Sequence, residues 1–266
     1  MKQYTRIISL LTIPLLLLLG YSFCDIDMFG LEKIDVTTVK HLYAQYTEPS
    51  TSNADSLRLD SLRKDSIAKV KEKENMPDTT HQRILFIGDS MLEGLGRRLA
   101  EYCNVNDYEM TFVCWYSSTT EIWAHTDTLK HFMKEAEPTY VLICLGANEQ
   151  FVRDLSKREG YIEQIINMVG DIPYVWICPP AWKEDTGIND LIRRKVTDKR
   201  FFDSRTLQFN RGKDHVHPTF NSAAVWMDEV VAWLRTPATI HPLDIKEPEG
   251  KVERKWKPYY LSPLRK

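Results

Sequence analysis

Between about residues 83 and 235 the chain alternates two hydrophobic patterns. One is a short, wholly apolar run closed by a turn residue. The other is a longer stretch with apolar residues every three or four positions. Ile84-Leu85-Phe86-Ile87 stops at Gly88, Tyr140 to Leu145 stops at Gly146, and Tyr174 to Cys178 stops at Pro179-Pro180; Met110 to Trp115, broken only by Thr111, is a further run without such a stop. These read as strands buried on both faces. Between them, Met91 to Tyr102 carries Leu92, Leu95 and Leu99 at helical spacing, and Thr128 to Glu137 and Tyr161 to Val169 read as further helices. Phe220 to Leu234 closes the series. Apolar strands alternating with amphipathic helices predict an α/β domain, a parallel sheet covered on both faces, over residues 81–236.

The flanks follow other patterns. Residues 1–24 contain the run Ile7 to Phe23, about 17 residues with five consecutive leucines, Leu15 to Leu19. That is the lower edge of what spans a bilayer core. Lys2 and Arg6 precede it and Asp25, Asp27 and Glu32 follow, which puts the remainder of the chain outside the cytoplasm. An uncleaved signal anchor is favoured over a cleaved signal peptide, because Phe23 stands where a small residue is wanted; secretion after cleavage is the alternative. Residues 25–80 read as a juxtamembrane segment followed by a solvated spacer. The five-residue repeat Asp55-Ser56-Leu57, Asp60-Ser61-Leu62, Asp65-Ser66-Ile67 builds no continuous apolar face. Residues 237–266 form a Pro-rich basic tail in which Trp256, Tyr259 and Tyr260 suggest partial docking.

Composition narrows the classes. The 266 residues are 43% hydrophobic and 27% charged, which is globular. A formal net charge of −2 argues against nucleic acid as a partner. Five cysteines make no disulfide framework; Cys144 and Cys178 fall inside expected strands, and Cys103 and Cys114 are a candidate pair in an oxidising compartment.

Ligands of parallel sheets sit beyond the carboxyl ends of the strands. Those ends here are Gly88-Asp89-Ser90, Trp115 to Thr120, Gly146 to Glu149 and Pro179 to Trp182. Ser90 opens a helix after a buried strand, so it is either an N-cap or a nucleophile. A nucleophile needs an oriented base. Among seven histidines, His217 in Asp214-His215-Val216-His217-Pro218 has a carboxylate three residues away, within reach of one ring nitrogen. His-x-His is also compatible with a metal site, although no third protein ligand beyond Asp214 is evident. An oxyanion needs donors: the Ser90 N–H, the Asn148 amide and an N–H from the loop Tyr116-Ser117-Ser118-Thr119. Trp115, Tyr116 and Trp182 lie at strand ends and are candidate platforms for a sugar face, with core packing as the competing role; Trp123 lies close by.

Ile84 to Ser90, Gly146-Ala147-Asn148-Glu149 and Asp214 to Pro218, in this order, resemble the SGNH (GDSL-type) hydrolases, a family of esterases and lipases. The resemblance spans roughly residues 83–235. It implies a flavodoxin-like three-layer α/β/α sandwich, nucleophile Ser90, base His217, orienting Asp214, oxyanion donors Ser90 and Asn148, and no metal or organic cofactor. Two positions depart from the family pattern. The loop Trp115 to Thr120 lacks the family's glycine, with Ser118 the best match and Ser117 next, and Glu149 stands where Asp is usual. The implied activity is hydrolysis of an ester-linked acyl group, with O-acetyl on an extracytoplasmic glycan the favoured substrate. Gly88 to Gly94 also resembles membrane-anchored members that work beside membrane-bound O-acyltransferases, which makes acyl transfer to a polysaccharide the rival activity. An inactive glycan-binding module is the non-enzymatic alternative.

Overall fold

The computed structural model describes residues 76–250, 252–253 and 256–264. The apolar run Ile7 to Phe23, the juxtamembrane segment and the Asp-Ser repeat lie outside the described residues. Among the described residues no helix is long and apolar enough to cross a membrane.

In chain order the elements are β1 (Arg83–Gly88), α1 (Leu92–Val105), β2 (Glu109–Trp115), α2 (Thr120–His125), α3 (Thr128–Ala136), β3 (Tyr140–Cys144), α4 (Arg158–Val169), β4 (Tyr174–Ile177), α5 (Ile188–Val196), β5 (Phe201–Phe202), α6 (Phe220–Leu234) and β6 (Lys257–Leu261). The six strands form one sheet in the order β5-β4-β3-β1-β2-β6, and every pairing is parallel. The period-two geometry of a strand divides the apolar runs between two cores. Ile84 and Phe86 of β1 pack with Leu95 and Leu99 of α1 and with Trp226 and Val230 of α6. Leu85 and Ile87 face the other way, onto Phe132 of α3, Ile165 of α4 and Ile192 of α5. The result is a three-layer α/β/α sandwich of flavodoxin-like order.

That order sets the site. The chain leaves β1 for β2 on one side and returns to β3 on the other, so a crevice opens beyond the carboxyl ends of β1 and β3. Gly88 sits at this edge because nothing larger fits: an added Cβ would lie 2.1 Å from the Cys144 carbonyl oxygen.

Four elements were not anticipated: α2, α5, β5 and β6. The last moves a boundary. The segment after residue 236 is part of the domain: Leu243 and Ile245 are buried, and β6 pairs with β2 from Thr111↔Lys257 to Trp115↔Leu261. Its signal is weak because an edge strand is half exposed and tolerates Pro258. Cys103 and Cys114 are free buried thiols rather than a pair, and Cys103 Sγ lies 3.9 Å from Met110 Sδ. Burial pushes both thiols up to about 12, so neither is a reactive thiolate at neutral pH.

Candidate active site

Ser90 lies two residues past the end of β1. The Asp89 carboxylate accepts the Met91 N–H at 3.0 Å, and the Asp89 carbonyl accepts the Leu92 N–H at 3.1 Å, which turns the chain sharply into α1. Met91, not Ser90, occupies the N-cap position, and no side chain caps this helix. The Ser90 hydroxyl is therefore not spent on the helix. It lies 2.8 Å from His217 Nε2.

His217 is presented by a small hairpin between β5 and α6. Asp214 Oδ1 accepts the N–H groups of Val216 (3.0 Å) and His217 (3.1 Å), as Asp does in tight turns. His215 takes the left-handed conformation at φ 59°, and Gly212 donates its N–H to the His217 carbonyl at 2.8 Å. The Arg211 guanidinium bonds the Val216 carbonyl and, at 2.8 Å, the Ala181 carbonyl, which pins the hairpin to the loop after β4. Thr219 then caps α6 by accepting the Ser222 N–H. The second carboxylate oxygen of Asp214 lies 2.7 Å from His217 Nδ1. A proton on Nδ1 satisfies both contacts, with Nε2 accepting from the Ser90 hydroxyl. Both ring nitrogens are thus engaged with protein atoms. The His217 ring and two backbone N–H groups hold the Asp214 carboxyl far below the usual carboxylate range, so it stays anionic wherever the imidazole can act as a base.

The turn after β3 supplies Asn148. Gly146 sits at φ 123°, which a side chain disfavours, and Ala147–Glu149 forms a 3₁₀ turn. Asn148 Nδ2 donates to the Ser118 carbonyl at 2.9 Å, so the turn after β3 touches the loop after β2. Losing an oxyanion donor costs on the order of 10²–10³ in turnover. Asn148→Ala should show that loss in kcat with little change in KM in steady-state kinetics; a loss confined to KM would assign Asn148 to binding instead.

Two candidates, Ser118 and Trp115, land elsewhere than expected. The Ser118 N–H is not available to an oxyanion, because it donates to the Trp115 carbonyl at 3.1 Å, and its hydroxyl accepts from Trp123 Nε1 at 2.9 Å. Its neighbour Ser117 is exposed, in the left-handed region at φ 56°, and its N–H meets no protein acceptor among the described residues. Trp115 is core and not a platform: it is buried edge-on against Trp123 and donates Nε1–H to the Ser262 carbonyl. Tyr116 and Trp182 remain at the rim. Tyr116 donates its hydroxyl to Glu93 at 3.3 Å, and Trp182 donates Nε1–H to the Ala147 carbonyl at 3.0 Å. A cavity of about 390 Å³ opens beside Ser90 and His217, lined also by Met91, Glu93, Gly94 and Phe220.

Two buried carboxylates assigned no role from sequence hold these loops together. Asp89 accepts the Ala147 N–H at 3.2 Å as well as that of Met91, joining the turn after β1 to the turn after β3. Glu149 accepts both the N–H and the hydroxyl of Thr120, each at 2.8 Å, and pairs with Arg158 Nε at 2.7 Å. Burial raises Asp89 to about 7 and raises Glu149 also, against their hydrogen bonds. A carboxyl raised on folding stabilises most below its unfolded value and loses that contribution as pH rises through the folded one. For Asp89 the window is about pH 4 to 7, and the change is roughly 4 kcal/mol at about 1.4 per pH unit. Denaturant unfolding at pH 4, 5.5 and 7 should show this decline, with a shallower slope in Asp89→Asn; parallel slopes would mean Asp89 does not titrate there.

The fold is similar to that of a carbohydrate acetylesterase family member from Sinorhizobium meliloti, at 16% identity and TM-score 0.46, over 57% of this chain and 96% of that one. It is similar to a protein assigned to the G-D-S-L lipolytic family from Desulfitobacterium hafniense DCB-2, at 14% identity and TM-score 0.43, over 56% and 98% of the two chains. It is similar also to a gut microbial diltiazem-metabolizing enzyme, at 14% identity and TM-score 0.38, over 59% and 48%. No family model and no curated protein matches the chain. The functional reading therefore rests on the side chains themselves.

Proposed function

We propose that this protein is a serine esterase of the SGNH type that removes acyl groups, O-acetyl first among them, from a glycan outside the cytoplasm. One observation carries the reading: Ser90 Oγ, His217 Nε2, His217 Nδ1 and Asp214 Oδ2 form an unbroken line with contacts of 2.8 and 2.7 Å at the mouth of a cavity. In the mechanism Ser90 Oγ attacks the ester carbonyl while His217 Nε2 takes its proton. Asp214 supports the imidazolium that results. The oxyanion is met by the N–H groups of Ser90 and Ser117 and by the second amide hydrogen of Asn148. His217 then protonates the departing alcohol, and the same imidazole deprotonates the water that releases the acyl group and restores Ser90.

The glycan part of the reading is supported by aromatic rings at the rim. Trp182 stands edge-on to the exposed Phe151 at 6.2 Å, with Lys183 over the Trp182 ring at 4.8 Å. Tethering through Ile7 to Phe23 and the spacer after it would give the domain a high effective concentration of envelope polymer. The test is incubation of the full chain with O-acetylated oligosaccharides, beside Ser90→Ala, with products identified by mass. Free acetate and deacetylated sugar, absent in Ser90→Ala, are expected. Acetyl appearing on a second glycan would make the protein a transferase, and no Ser90-dependent product would reject the glycan substrate.

A further inference from the structure

The carboxyl end of β6 lies at the same sheet edge as the catalytic loops. Because β6 runs parallel to β2, with Cys114 opposite Tyr260 and Trp115 opposite Leu261, it ends where the loop after β2 begins. The junction is stitched: the Tyr116 N–H donates to the Leu261 carbonyl at 3.0 Å, and Trp115 Nε1–H donates to the Ser262 carbonyl at 2.9 Å. Tyr260 is thereby stacked on Tyr116, ring centroids 6.3 Å apart and planes 17° apart, and is braced edge-on by Phe112 at 5.8 Å. It remains 45% exposed.

Tyr116 in turn bonds one oxygen of Glu93, a half-buried carboxylate that lines the cavity beside Ser90. The other oxygen of Glu93 meets no protein donor among the described residues. One turn further along α1, Arg97 lies over the exposed ring of Phe220, 4.0 Å from its centroid, and Phe220 lines the same cavity. From the nucleophile outward, the surface thus presents a carboxylate with a vacant acceptor position, a guanidinium and open aromatic rings.

We infer that Glu93, Tyr116 and Tyr260 form a saccharide-binding shelf that holds the glycosyl part of the ester, so that the C-terminal strand is a specificity element of the active site. This rests on the esterase reading and names where its substrate lies. A sugar ring suits the shelf because its hydroxyls donate to the open Glu93 oxygen while its C–H face covers an aromatic ring. An acyl chain suits it poorly. Laid across the shelf, it would strip water from Glu93 without supplying a partner.

The test separates binding from turnover. Calorimetry measures binding of an O-acetylated xylo-oligosaccharide to Ser90→Ala, and to Ser90→Ala combined with Tyr260→Ala or with Glu93→Gln. The Tyr259→Phe change is the control, since Tyr259 faces the opposite core at Phe132. Each shelf variant should weaken binding by about tenfold, and the control should not. Unchanged affinity in both shelf variants overturns the inference, as does a loss equal to theirs in the control. Selective weakening of an octanoyl ester instead also overturns it, by making the occupant an acyl chain. Oligosaccharide binding by a protein that hydrolyses no ester would keep the shelf and remove the esterase reading. Ser90-dependent cleavage of p-nitrophenyl acetate without oligosaccharide binding would do the reverse.

Discussion

Ser90→Ala should keep the melting temperature of the parent protein and lose ester hydrolysis on the order of 10⁶-fold in kcat, the scale seen when a serine triad loses its nucleophile. The fold does not depend on this hydroxyl. Its contact is to His217 Nε2, across the cleft, and it does not cap α1. The chemistry depends on it entirely, because the imidazole and the Asp214 carboxylate have no other oxygen to activate within the line. The measurement is p-nitrophenyl acetate hydrolysis beside a thermal melt. Activity within an order of magnitude of the parent would remove Ser90 from the mechanism. A large fall in melting temperature would show that the hydroxyl is a structural cap after all.

Glu149→Leu should destabilise by about 3 kcal/mol, the cost of leaving the buried Thr120 N–H and hydroxyl without an acceptor, while Arg158 keeps Glu121 as its remaining carboxylate. Glu149 is buried, two donors converge on it, the Thr120 N–H and the Thr120 hydroxyl, and the Arg158 guanidinium pairs with it, Nε 2.7 Å away. Leucine fills comparable space and accepts nothing. For a domain of this size the melting temperature should fall by roughly 10 °C. Activity should fall beyond what stability explains, because Glu149 follows Asn148 in the same turn and anchors it to the loop after β2. Glu149→Gln keeps the shape and part of the hydrogen bonding, so its effects should be smaller. A melting temperature unchanged in Glu149→Leu would mean that Arg158 and Thr120 find water or other partners. The network would then be incidental to the site.

What could be read from sequence divides along physical lines. The four inner strands are mostly apolar on both faces, and three of them run into Gly88, Gly146 or Pro179, so they stand out against polar surroundings. Ser90, Asn148 and His217 follow as strand-end or loop residues next to such boundaries. Asp214 and His217 were legible because a three-residue separation suffices for a turn to bring them together. The β6 strand was not, since Lys257 to Leu261 is half exposed and contains Pro258, and no periodicity separates it from a tail. Helix α5 had a readable apolar stripe, Ile188, Leu191, Ile192 and Val196, with Asp185 accepting the Gly187 and Ile188 N–H groups at its start. Its short length among loop residues obscured it.

The donor loop after β2 shows a different limit. Ser117 and Ser118 are identical in chemistry, and only the positive φ of Ser117 decides whose N–H turns into the Trp115 carbonyl. Serine carries no mark of that conformation, whereas glycine would. Trp115 was decidable by parity: it shares a strand face with Val113, two residues back, and both belong to the core around Trp123. The roles of Asp89 and Glu149 depend on loops far apart in sequence, and nothing local reports such convergence.

The central claim is that His217 activates Ser90. Labelling with a fluorophosphonate probe, followed by tryptic mapping, tests it most directly. Cleavage after Arg83 and Arg97 releases residues 84–97, a peptide whose one hydroxyl side chain is Ser90. The adduct should lie on that peptide in the parent protein and be lost in His217→Ala. A label on any other peptide, or one that survives in His217→Ala at the parent rate, would contradict the account.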